Sequence, residues 1–135
     1  MTNTLYFGDN LSILRDYVKD ESVDLIYLDP PFNKNARYNV LFKTPAGAQS
    51  DAQVRAFDDT WAWENGAEAA LDEVRVSDVE TFRLLNALKS FLGEGDVMAY
   101  LAMMAPRLIQ LRRVLRPGGT VYLHCDPTAS HISKY

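Results

Sequence analysis

The sequence predicts an α/β fold built on a parallel sheet. Short apolar runs at 4–7, 24–29 and 120–125 alternate with segments of helical periodicity at about 11–19 and 97–115. The run Asp24-Leu25-Ile26-Tyr27-Leu28-Asp29 is apolar on both faces over four residues, which suits a strand in the middle of a parallel sheet. Right-handed strand-helix-strand units are the usual way to join such strands.

In chain order, Thr4-Leu5-Tyr6-Phe7 is a β-prone run closed by Gly8. Asp9 or Asn10 then caps a helix over 11–19, with Leu11, Leu14 and Val18 at helical spacing. The strand at 24–29 stops at Pro30 and Pro31, because neither has an N–H to give to a ladder. The stretch 33–65 has no clear periodicity and reads as a long inserted loop of the functional kind. Helical pattern returns over 67–75. Ser77-Asp78-Val79-Glu80 resembles a capping box opening a helix to about Leu92, which Gly93 and Gly95 end. Asp96 can cap the next helix. Val97, Leu101, Met104, Leu108, Leu111 and Leu115 follow at helical spacing and predict one buried stripe, with a kink near Pro106. Arg116-Pro117-Gly118-Gly119 breaks that helix, and Thr120–Cys125 reads as a third strand.

Composition narrows the class. The chain has 135 residues, 47% of them hydrophobic and 11% aromatic, which is one globular domain's worth. A single cysteine, Cys125, excludes an internal disulfide and fits a reducing, cytoplasmic setting. The start has no basic segment followed by an apolar stretch, and no apolar run is long enough to span a membrane. The net charge of −4 taken alone argues against a nucleic-acid partner. Its distribution argues otherwise. Residues 44–100 hold 4 basic against 11 acidic side chains, whereas 1–43 hold 5 against 6 and 101–135 hold 5 against 1. A duplex needs local positive charge along its phosphates, not a basic whole chain.

Ligands of open α/β sheets bind beyond the carboxyl ends of the strands. Three polar groups fall at the predicted strand ends: Gly8-Asp9, Asp29-Pro30 and His124-Cys125-Asp126. The sharpest of these is Asp29-Pro30-Pro31-Phe32. A carboxylate is followed by two residues of fixed φ and an aromatic ring, and the Pro30 carbonyl is free to accept. That set suits a planar ligand with an NH₂ group: the carboxylate takes one N–H, the carbonyl the other, and the ring stacks on the π-face. A plain strand-ending turn with Asp at its edge is the competing reading.

Here the sequence resembles a known family. Tyr-Leu-Asp-Pro-Pro-Phe-Asn, preceded by Leu-Tyr-Phe-Gly-Asp-Asn-Leu and Val-Asp-Leu-Ile, is similar to the start of a site-specific DNA amino-methyltransferase, most of all the permuted β class. In that class the catalytic half precedes the methyl-donor half. Met-Ala-Tyr-Leu-Ala-Met-Met-Ala-Pro-Arg-Leu, then Arg-Val-Leu-Arg-Pro-Gly-Gly, then Tyr-Leu-His-Cys-Asp-Pro-Thr-Ala-Ser-His extend the resemblance along most of the chain, weakest over 44–75. It implies a Rossmann-like methyltransferase fold, incomplete at its carboxyl end, and transfer of a methyl group from S-adenosylmethionine to the N6 amine of a flipped-out adenine in double-stranded DNA. Asp29, Pro30, Pro31 and Phe32 match the motif that grips the target base. Asp at position 29 resembles the adenine-N6 version, since cytosine-N4 enzymes often carry Ser there. Gly8 and Asp9 match the motif whose carboxylate contacts the adenine moiety of the cofactor, and the resemblance counts Asp29 with them among the cofactor-binding residues. The glycine-rich Phe-x-Gly-x-Gly donor motif is absent from the chain. Cytosine-N4 methylation and a non-catalytic remnant are the alternative readings. A homodimer and a restriction endonuclease are partners that the resemblance admits.

Further candidates rest on residue type. Lys34, Arg37 and Lys43 follow the Asp29 turn and fit phosphate contacts, or simply a solvated basic loop. Phe57, Trp61 and Trp63 fit stacking on DNA or folding back onto the core. His124, Cys125 and Asp126 have ligand chemistry, but adjacent strand residues point to opposite faces, so no metal site is predicted. Ser130-His131 lacks the context of a hydrolase nucleophile.

Overall fold

Helix α1, Asn10–Tyr17, starts where a side chain can replace the missing helical acceptor. The Asp9 carboxylate accepts from the Leu11 N–H at 2.8 Å, so Asp9 rather than Asn10 is the cap. Gly8 just before it has φ +148°, a backbone state that a side chain would strain. The computed structural model describes residues 2–30, 37–40, 54–58 and 62–124, with only the backbone path given for 37–40 and 54–58.

Strand β1, Val23–Leu28, pairs in parallel with β4, Leu115–Leu123. Leu25 lies opposite Thr120, Ile26 opposite Val121, Tyr27 opposite Tyr122 and Leu28 opposite Leu123. Val23 pairs with Leu115, so β4 takes five residue steps where β1 takes two. The extra length is the Arg116–Gly119 segment, with Gly118 at φ +80°. The Arg-Pro-Gly-Gly pattern there predicts a helix break before a strand at 120. Instead the strand begins at 115 and absorbs the break as an irregularity. Side chains of β1 alternate: Ile26 and Leu28 are buried, while Leu25 and Tyr27 are 56% and 68% exposed. Among the described residues one face of this strand pair is covered, not both as the apolar run implied.

The rest of the core is helical. Helix α2, Ala67–Ser77, helix α3, Val79–Leu92, and helix α4, Asp96–Val114, pack together, and α1 lies against α4. Helix α3 is capped by Asp78, whose carboxylate accepts from the Thr81 N–H at 3.1 Å, one residue later than a box led by Ser77 requires. Gly95 precedes α4 without a side-chain cap, and Asp96 is its first residue. Leu101, Met104 and Leu111 of the predicted stripe are buried, but Val97 and Leu108 lie at its exposed border. Met98, Ala102 and Ala105 are buried as well, because α4 is packed from more than one side. Pro106 sits inside the helix and is buried, and α4 continues through it.

Two regions depart from the sequence reading. Residues 4–7 form no strand: Leu5 and Phe7 are 96% and 87% exposed. A strand exists by pairing, and no described strand lies alongside to pair with it. Tyr6 instead sets its ring 5.4 Å from that of Tyr17 on α1. The supposed loop over 33–65 contains β2, Arg37–Val40, and β3, Val54–Asp58, paired antiparallel, followed by a 3₁₀ turn at Trp63–Asn65. Thirteen residues separate these short strands, so the tight-turn signature of a hairpin is missing from the sequence.

Candidate active site

Parallel pairing puts the carboxyl ends of β1 and β4 at one edge. Asp29 follows β1 and His124 follows β4, one step beyond the Leu28–Leu123 pair. The His124 N–H donates to the Leu28 carbonyl at 2.9 Å, which extends the ladder to that point. The side chains then meet: His124 Nδ1 lies 3.1 Å from Asp29 Oδ1. Both are well exposed, at 60% and 59%, so a ligand can reach the carboxylate from solvent. Pro30 behind it is buried, which anchors the turn.

The second group forms around Asp9. Arg107 of α4 gives one guanidinium nitrogen to both Asp9 oxygens, at 3.0 and 2.9 Å, while its Nε donates to Asn10 Oδ1 at 2.9 Å. Its third nitrogen donates to the Met103 carbonyl at 2.6 Å. The Arg107 side chain is only 9% exposed, and Asp9 is 55% exposed. A buried guanidinium is stable only with its donors matched, and here α1's capping carboxylate supplies much of the match. Asp9 therefore caps α1 and also ties it to α4.

The two groups lie toward the same edge. Arg107 reaches Asp9 and Asn10, while Arg113, six residues on, reaches the carbonyls of Leu14 and Val18. Helices α1 and α4 therefore run side by side in one direction. Each delivers the chain to the amino end of its strand, where Glu21 and Ser22 N–H groups donate to the Arg113 and Val114 carbonyls at 3.0 and 2.9 Å. The amino end of α1, with Gly8 and Asp9, points back toward the edge that carries Asp29. Of the three expected strand-end groups, two are strand ends and the third is a helix cap.

Other candidates separate clearly. Trp63 packs against the core, with Lys89 Nζ 4.5 Å from its ring centroid, so it folds back inward. Arg37 opens β2 opposite Asp58, and Phe57 lies opposite Tyr38, with backbone positions only. Pro31, Phe32, Lys34, Lys43, Trp61, Cys125, Asp126, Ser130 and His131 lie outside the described residues. Among the described residues no group of three or more His, Cys, Asp or Glu is arranged to hold a metal ion, and no helix is long and apolar enough to cross a membrane. A cavity between α3 and α4, walled by Leu84, Leu88, Tyr100, Met104 and Leu108, includes neither Asp9 nor Asp29.

Sequence reasoning missed Arg107. One signal for it exists: Arg107 sits seven residues from both Tyr100 and Val114, which are buried on α4, so helical spacing assigns it to an inward face. An arginine there demands an acidic partner.

Comparison with known proteins adds one likeness. The chain is 30% identical over 126 residues to the Mod subunit of the type III restriction-modification enzyme StyLTI from Salmonella typhimurium. The chain is similar to part of a Mod subunit. The match takes in 92% of this chain and 16% of that subunit, so the chain spans about a sixth of its relative's length. No protein-family model matches the chain, and no solved structure does.

Proposed function

We propose that the chain is the catalytic-side segment of a DNA methyltransferase that transfers a methyl group from S-adenosylmethionine to the N6 amine of adenine. The observation that carries this reading is Asp29, an exposed carboxylate at the carboxyl end of a parallel strand, followed in sequence by Pro30-Pro31-Phe32. The likeness to a Mod subunit supports modification of DNA as the activity of the whole protein, and a restriction subunit as its partner.

An exocyclic adenine amine is a weak nucleophile because its lone pair is delocalised into the ring. Asp29 and the Pro30 carbonyl, each accepting one N–H, favour the pyramidal nitrogen that the transition state needs. The cofactor supplies an already activated sulfonium methyl. The chain's task is then to align and to exclude water. A duplex adenine cannot reach such a turn while stacked, so the base is flipped out. Phe32 offers it a stacking face worth about 1–3 kcal/mol. Lys34, Arg37 and Lys43 follow in sequence and are assigned to phosphates beside the flipped base.

The residues present fit the adenine end of the cofactor. The Asp9 carboxylate takes three donated hydrogen bonds, of about four it can accept, and half of its surface is open. Gly8 brings the backbone past without a side chain. Incubation of the full-length protein with DNA and methyl-labelled cofactor, followed by digestion to nucleosides, tests the reading. N6-methyladenine is expected. N4-methylcytosine would move the activity to the alternative base, and no methylated base would overturn it.

A further inference from the structure

We propose that His124 is a positioning residue for Asp29: its Nδ1 holds carboxylate oxygen Oδ1, so that Oδ2 is left to accept from the amine. This rests on the methyl-transfer reading above. Asp29 has an unusual local problem. A strand-end aspartate is normally oriented by backbone N–H groups one or two residues on. Residues 30 and 31 are both proline, so neither has an N–H to offer. Orientation must come from elsewhere in the fold.

The β1–β4 register supplies it. Leu28 faces Leu123, and the His124 N–H bond to the Leu28 carbonyl at 2.9 Å carries the pairing one residue further. That backbone bond sets the imidazole beside Asp29, and Nδ1 lies 3.1 Å from Oδ1. Among the described residues no other group bonds to this carboxylate. With both side chains about 60% exposed, the contact contributes little to stability. Its effect is on direction: a free carboxylate rotates about χ2, and one held at Oδ1 presents Oδ2 at a fixed place. An ionised carboxylate only accepts, so the bond puts a proton on Nδ1. In water the neutral ring prefers the proton on Nε2, which makes the tautomer a signature of the contact.

The test has two arms, both in the full-length protein. In the first, His124→Ala lowers kcat by about 10–100-fold, as loss of an orienting partner does elsewhere, while KM for DNA stays within about twofold. His124→Asn keeps an amide N–H near the place of Nδ1 and recovers most of the rate. An unchanged kcat in His124→Ala, or His124→Asn as slow as His124→Ala, would overturn the proposal. In the second arm, long-range ¹⁵N–¹H spectra of histidine-labelled wild-type protein are expected to show His124 as the Nδ1–H form, reverting toward Nε2–H in Asp29→Ala. An Nε2–H ring in the wild type would equally overturn it. If Asp29→Ala still methylates, the functional reading fails. If Asp29→Ala is inactive while His124→Ala is fully active, only the positioning role fails.

Discussion

The two edges of the β1–β4 pair are built differently. At the amino edge Arg113 donates to the carbonyls of Leu14 and Val18 and to Gln110, and pairs with Asp20, while Arg116 bonds Asp24 and the Glu21 carbonyl. Two backbone bonds tie the helix–strand junctions together there. At the carboxyl edge the His124 N–H donates to the Leu28 carbonyl and its ring meets Asp29, with both of these side chains open to solvent. Dense cross-linking suits an edge that only has to hold. Exposed polar groups suit an edge that must admit a ligand, and open α/β sheets bind ligands at that end. On the function proposed above, stability belongs to one edge and chemistry to the other.

That division can be broken by mutation. The largest stability effect is expected at Arg113, whose removal strands two backbone carbonyls and an ion pair. Arg113→Ala should lower stability by about 1–3 kcal/mol and leave methyl transfer per folded molecule unchanged, as thermal melts and single-turnover assays check. A catalytic defect without a stability loss would put chemistry at the wrong edge. Next comes Arg107→Met, which removes the tie between α4 and the α1 cap. A loss of about 1–2 kcal/mol is expected, toward the lower end because Asp9 is half exposed and screened by water. A double-mutant cycle with Asp9→Asn should show the two losses to be strongly non-additive.

The smallest effects lie away from both edges and depend on pH. The Thr81 backbone N–H, donating to Asp78, holds its carboxyl below the usual carboxylate value. A depressed folded value means that the contribution is present above the unfolded value and lost as pH falls through the folded one, so α3 loosens in strong acid. Lys89 runs the other way. Its hydrogen bond to Glu68, then that to Glu94, raises the ammonium above its ordinary value, so its contribution is complete below that value and lost as pH rises through the raised one. Melts across pH should show Asp78→Ala removing part of the acid-side slope and Lys89→Met part of the alkaline-side slope. Neither variant should change methyl transfer near neutral pH.

Local chemistry explains what was legible in the sequence. The Asp9 cap, α4 and the strand ending at Asp29 follow from rules acting within a few residues. Residues 4–7 have the local pattern of a strand but form none among the described residues, because pairing needs a neighbour that no local rule supplies, and β2–β3 joins segments thirteen residues apart. The contacts that define the site are longer still. Asp29 meets His124 across 95 positions and Asp9 meets Arg107 across 98, because the parallel register and the α1–α4 packing bring them together. The motifs marked candidate residues. The fold was needed to say which of them touch.

The central claim is that the Asp29 carboxylate does chemistry while the opposite edge holds the fold. Single-turnover methyl transfer by Asp29→Ala, at saturating DNA and methyl donor, tests it most directly. The account predicts a rate lowered by about 10²–10³-fold, with DNA affinity and melting temperature close to wild type. Transfer at the wild-type rate would contradict it.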